Sequence, residues 1–196
     1  VSIMAPREPT RRDVAFSSDG EECKAWLFLT NTERPPLVVM GHGLGGTREM
    51  GLEPYARAFA LAGMAVLVFT YRHFGDSEGM PRRLIDVDHQ LGDWIAALAY
   101  ARTIEEIDPT RIAVWGTSFG GGHVIEVAAH DGGVAAVISQ CPFTDGLASL
   151  RVASPQSLLR QSEVRQRMVN ATIQLLAEEG PQALQVRRVA ATVGVS

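Results

Sequence analysis

In Arg111-Ile-Ala-Val-Trp-Gly-Thr-Ser-Phe-Gly-Gly-Gly-His123 a short apolar run leads into Gly-x-Ser-x-Gly and then opens a helix rich in alanine and valine. Ser118 reads as a nucleophile at a sharp strand-to-helix turn. Such a turn needs strained backbone angles and small neighbours, which Gly116 and Gly120 supply, leaving room for strand to pack closely on helix. The other reading is a tight turn that exposes a serine, because the five-residue pattern is loose in a chain with 19 glycines. The flanking sequence has to decide.

The bulk composition narrows the choices. With 196 residues, 46% of them hydrophobic, the chain has enough apolar side chain to bury a core. The net charge of -4 conceals a break: residues 1–150 carry 12 basic and 19 acidic groups, whereas 151–196 carry 6 and 3. Two pieces of different origin are expected. Cys23 and Cys141 lie far apart with no metal-ligand spacing, so both read as buried thiols in a reducing compartment. No signal pattern opens the chain, and no window reaches the roughly 18 to 20 apolar residues a membrane span requires. These features point to the cytoplasm and away from the membrane.

Outward from the serine motif, the chain alternates strand and helix. Residues 11–17 and 22–30 read as a hairpin around Ser18-Asp-Gly-Glu21. Leu37–Met40 is a doubly buried strand ending in Gly41-His-Gly-Leu-Gly-Gly46. A helix through Tyr55–Leu61, capped near Gly63, precedes the strand Met64–Phe69, and Asp86–Arg102 has helical spacing at Val87, Leu91, Trp94, Ile95, Leu98 and Ala99. The strand Ile112–Trp115, a helix to about His130 and a buried strand Val134–Ser139 complete the pattern. The expected class is α/β, with about six mostly parallel strands carrying their chemistry at the carboxyl edge.

Three motifs now fall in one order: Gly41-His42-Gly43-Leu44-Gly45-Gly46, then Tyr71-Arg72-His73-Phe74-Gly75-Asp76-Ser77, then Gly116-Thr117-Ser118-Phe119-Gly120. On these, residues 10 to about 150 resemble the first two-thirds of an α/β-hydrolase, near the serine-esterase and Xaa-Pro-peptidase-like branches. The resemblance implies hydrolysis of a small ester or amide, with Ser118 attacking the carbonyl. It assigns the oxyanion hole to the backbone N–H groups of Leu44 and Phe119, and such a donor is typically worth about 3 to 4 kcal/mol of barrier. His42 and Gly43 are then parts of the oxyanion loop, His42 holding it by hydrogen bonds rather than acting as a base. No cofactor or metal is implied.

A serine hydroxyl needs a base within hydrogen-bond reach, and the base needs an orienting acid. In α/β-hydrolases the order is serine, acid, histidine, yet no histidine follows His130 in these 196 residues. His123 is expected to point down its helix, away from the serine; His73, His89 and His130 read as surface or packing residues. Asp145, after the sixth strand, stands where some relatives place the acid; a loop or helix-capping aspartate is the alternative. The expected activity is accordingly impaired.

The tail has its own character. Gln161–Glu179 forms an amphipathic pattern ending at Gly180-Pro181, and Val186–Val193 leads into Gly194-Val-Ser196. These residues resemble the start of a TetR-type helix-turn-helix domain, in which Arg187 and Arg188 are weak candidates for phosphate contacts with DNA. The expected organisation is an incomplete hydrolase domain over 1–152, a junction over 153–160 and an incomplete TetR-type segment, small and all-α, over 161–196. A gene fusion, a frameshift or a misread locus would produce it. The rival function is a transcriptional-regulator fragment, and an unpaired sheet edge would favour self-association.

Overall fold

The computed structural model describes residues 8–146. They form nine elements: β1 (Thr10–Ser18), β2 (Glu21–Leu29), β3 (Leu37–Gly41), α1 (Glu53–Leu61), β4 (Ala65–Phe69), α2 (Val87–Ala101), β5 (Ile112–Thr117), α3 (Phe119–His130) and β6 (Val134–Gln140). The strands make one sheet in the order β1-β2-β4-β3-β5-β6. The pairings β1·β2 and β2·β4 are antiparallel, and β4·β3, β3·β5 and β5·β6 are parallel. This is the expected α/β class, with a mixed sheet.

The hairpin turns on Asp19 and Gly20, both at positive φ (49° and 86°), the two-residue geometry that matches the twist of the flanking strands. The central strands have no polar face. Leu37 and Val39, Leu67 and Phe69, and Ile112 and Val114 enter one apolar cluster with Trp94 and Leu98 of α2 and Val124 of α3. Their alternates Val38, Met40, Val66, Val68 and Trp115 enter a second cluster with Ala56 and Ala60 of α1. Period-two alternation thus feeds two cores, so the sheet is sandwiched by helices on both faces. Every loop that follows a parallel strand emerges at the same carboxyl edge, and there the three motifs converge.

Three sequence expectations need correction. On α2 the buried face is Gln90, Asp93, Trp94, Ala97, Leu98 and Ala101, whereas Val87 and Ile95 are exposed. An apolar count predicts a helix well and its inward azimuth less well, because here a buried carboxylate, Asp93, occupies the core-facing row. β6 is not buried; at the edge of the sheet among the described residues, it exposes Ala135–Ile138. Cys23 is buried, but Cys141 is exposed, at φ +46° in the bend just past β6. The TetR-type segment and the junction before it lie outside the described residues. No helix among the described residues is long and apolar enough to cross a membrane.

Candidate active site

The geometry of Ser118 follows from its position between β5 and α3. It takes φ +54° and ψ -115°, a region that residues with a Cβ rarely occupy. Its N–H donates to the Gln140 carbonyl at 2.9 Å, and its own carbonyl accepts from Gly122 N–H at 3.2 Å and Phe143 N–H at 2.9 Å. The flanking glycines are required by space: a Cβ on Gly116 would overlap the Gly120 carbonyl, and one on Gly120 would lie 2.5 Å from the His42 carbonyl oxygen. Ser118 occupies the N-cap position of α3, yet its side chain makes no capping bond. Serine at an N-cap ordinarily spends its hydroxyl on a backbone N–H. Here the residue is exposed, and among the described residues no hydrogen bond engages its Oγ.

The glycine-rich loop after β3 faces this elbow, with Gly43 packed against Ser118. His42 is buried under the loop. Its Nε2 accepts from Tyr71 N–H at 3.3 Å, which leaves the proton on Nδ1, 2.9 Å from the Gly43 carbonyl oxygen. That oxygen also accepts from Gly46 N–H at 3.2 Å. In a trans peptide the N–H points opposite to the C=O. Anchoring the Gly43 carbonyl therefore turns the Leu44 N–H away from His42. Neither the Leu44 N–H nor the Phe119 N–H has an acceptor among the described residues. Two free backbone donors and an unengaged hydroxyl beside a helix N-terminus suit the development of negative charge on a carbonyl oxygen.

Burial lowers His42 to about 4, although its bond to the Gly43 carbonyl opposes the shift. Burial likewise lowers His123 to about 4. Both are neutral near pH 7. The remaining histidines are committed elsewhere: His73 Nε2 lies 3.2 Å from His89 Nδ1, and His130 Nδ1 lies 2.9 Å from the Glu126 carbonyl. His123 Nε2 lies 2.8 Å from Gln90 Oε1. Among the described residues none of the five hydrogen-bonds to Ser118. Asp145 is exposed, beyond the end of β6. Arg187 and Arg188 lie outside the described residues. No cluster of His, Cys, Asp or Glu able to hold a metal occurs among the described residues.

Two ion pairs that sequence reading missed hold the loops in place. Arg72 is buried; its Nε donates to Asp93 Oδ1 at 2.6 Å, its N–H to Asp93 Oδ2 at 2.9 Å, and its guanidinium reaches Ser18 and Asp19. Arg48 grips Asp76 with two bonds of 2.6 and 2.7 Å, tying the loop after β3 to the loop after β4. The available signal was Asp93 beside Trp94 on a largely apolar helix face. Its partner, 21 residues away, had no local mark.

The profile of the family described as alpha/beta hydrolase fold matches residues 36–187, so it extends into the segment expected to be TetR-type, and neither it nor the relatives below support a TetR-type, DNA-binding reading. The quorum-quenching protein AidA of Acinetobacter baumannii is 55% identical over 149 residues, covering 76% of this chain and 49% of AidA. The thiohydrolase aneE of Aspergillus aculeatus is 33% identical over 190 residues, covering 96% of this chain and 58% of aneE. The crystal structure of the α/β hydrolase GrgF from Penicillium superposes with a TM-score of 0.68 at 29% identity, covering 86% of this chain and 54% of GrgF. The chain thus spans about half the length of the curated relatives it matches. With the mixed sheet, the serine at the strand-to-helix turn and the glycine-rich loop beside it, the match over most of its length makes this chain a member of the α/β hydrolase fold family.

Proposed function

We propose that the chain carries the nucleophile and oxyanion half of a serine hydrolase site. Ser118 Oγ attacks an ester, thioester or amide carbonyl, the Leu44 and Phe119 N–H groups receive the oxyanion, and water releases the acyl group. Thioesters are included because the relative aneE is a thiohydrolase. The observation that carries this reading is the backbone of Ser118 at φ +54°. Glycine meets that conformation without strain, whereas a non-glycine residue there is destabilised by on the order of 1–3 kcal/mol. Strain kept at a residue whose hydroxyl is exposed and unengaged supports display of a nucleophile over a simple turn.

None of the five histidines serves Ser118 as a base, so the chain by itself turns over substrate poorly. A fluorophosphonate probe tests both parts. Slow, stoichiometric labelling that disappears in Ser118→Ala, without rapid hydrolysis of a p-nitrophenyl ester, is the expected result. Absence of labelling at Ser118 defeats the nucleophile assignment; fast turnover defeats the claim that the base is lacking.

A further inference from the structure

Beside the elbow lies a groove of about 490 Å³, within the roughly 300–1,000 Å³ usual for small-ligand sites. Val87 and Leu91 of α2, Phe119, His123 and Ile125 of α3, and Phe143 line it. Val87 is 47% exposed, Ile125 46% and Phe143 42%. A single exposed apolar side chain is ordinary, but several converging on one concavity mark a binding surface.

Its position identifies the occupant. Phe119 follows Ser118 directly, Phe143 N–H donates to the Ser118 carbonyl, and the two rings stand 5.9 Å apart. Two of the groove's lining residues thus adjoin Ser118, Phe119 in sequence and Phe143 through its backbone bond. The groove's polar feature is unusual. His123 is 5% exposed, its ring packs edge-on against Phe119 at 4.7 Å, and its Nε2 donates to Gln90 Oε1. The proton is then on Nε2, so Nδ1 is an acceptor, and it has no partner among the described residues. Glu126 stands at the rim with its carboxylate 3.5 Å from His130 Nδ1.

We propose that this groove binds the acyl portion of the substrate, an aliphatic chain of several carbons, and that His123 Nδ1 accepts a hydrogen bond from a hydroxyl on that chain. The proposal rests on Ser118 being the reacting residue. Along α3, Ser118 and His123 are five residues apart, an axial distance of about 7.5 Å. The hydroxyl read by His123 accordingly sits in the middle of the chain rather than next to the carbonyl.

Calorimetric binding to the full chain carrying Ser118→Ala tests this without requiring any reaction. The probes are decanoate and a series of monohydroxydecanoates with the hydroxyl moved along the chain. A mid-chain hydroxyl is expected to tighten binding about tenfold, the scale of one good hydrogen bond to a buried group. His123→Phe keeps the shape and removes the acceptor, so it should abolish that preference while still binding decanoate. Ile125→Trp, an exposed position at the groove, should weaken every probe about tenfold or more, with thermal melting confirming that both variants fold. Binding unchanged by Ile125→Trp overturns the groove, and no hydroxyl preference, or one that survives His123→Phe, overturns the role of His123. Labelling of Ser118 is read separately: probe binding without labelling removes the nucleophile assignment, and labelling without groove-dependent binding removes this proposal.

Discussion

A Cβ built on Gly43 stands 3.1 Å from the Cβ of Ser118 and 3.7 Å from its hydroxyl oxygen, so the glycine-rich loop and the elbow touch across the site. The Thr117 carbonyl lies 3.3 Å from the same position. Gly43→Ala can be accommodated only by displacing the loop, because the elbow is fixed by backbone on three sides. The Leu44 N–H moves with the loop. Labelling of Ser118 by a fluorophosphonate should slow about 10²-fold, the usual effect of losing one oxyanion donor. An unchanged rate would separate Leu44 from the oxyanion site.

Gly116 and Gly120 answer to stability instead. Their added Cβ atoms meet backbone, at the Gly120 and His42 carbonyls, which has no rotamer to yield. Either alanine variant should lose about 1–3 kcal/mol, as overpacked sites do, and melt several degrees lower. Differential scanning calorimetry measures it, and a melting temperature equal to wild type contradicts the packing account.

Stability should fall on acidification. His42 and His123, both held down to about 4 in the folded chain, regain an ordinary pKa near 6.5 when unfolded. Between about pH 6.5 and 4 the unfolded state therefore binds protons that the folded state refuses, so the contribution present above 6.5 is lost as pH drops through that window. For His42 the structural reason is specific: a proton on Nε2 would face the Tyr71 N–H. Urea unfolding at pH 7.5 and 4.5 should differ by a few kcal/mol, on the order of 3 per histidine. The difference should shrink in His123→Gln.

The Arg72–Asp93 pair is buried on both sides. Removing the carboxylate leaves the buried guanidinium only Ser18 and the exposed Asp19 as partners, a loss of about 2–4 kcal/mol, somewhat below that of a fully unpaired buried charge. Asp93→Ala should show that loss in chemical denaturation, with Asp93→Asn retaining part of it through one acceptor oxygen. Ser118 labelling should also slow in Asp93→Ala, since Arg72 adjoins the Tyr71 N–H that holds His42. A loss below about 1 kcal/mol rules out the pair as the loop's anchor.

Thiol chemistry should separate the two cysteines. Cys23, on β2, is buried in the apolar cluster that includes Trp94 of α2, and burial, with the Asp93 charge, raises its thiol well above the ordinary range. Cys141 is exposed. Iodoacetamide on the native chain should modify Cys141 alone, with Cys23 reacting only in denaturant; mass spectrometry of peptides decides it.

Much of this was legible along the chain. The elbow glycines, the hairpin turn at Asp19-Gly20 and the apolar runs of β3, β4 and β5 are local signals, written in backbone freedom and in period-two or helical spacing. The order of the three motifs carried the family. The azimuth of α2 was misread because Val87 and Ile95 count as apolar wherever they point, while the buried Asp93 counts as polar. Cys141 was misread because thiol burial depends on where β6 sits in the sheet.

By itself, then, the sequence determined which segments are strands and helices, where the chain turns sharply, and which serine the turn displays; those outcomes depend on neighbours within a few residues. Tertiary structure alone decided that the His42 ring turns the Gly43–Leu44 peptide, that Arg72 meets Asp93, and that Phe119, His123 and Phe143 share one groove. Those contacts join residues brought together by the crossover order β4-β3-β5-β6. Hydrogen-bond partners and burial are properties of that arrangement, and local propensity has no means of specifying them.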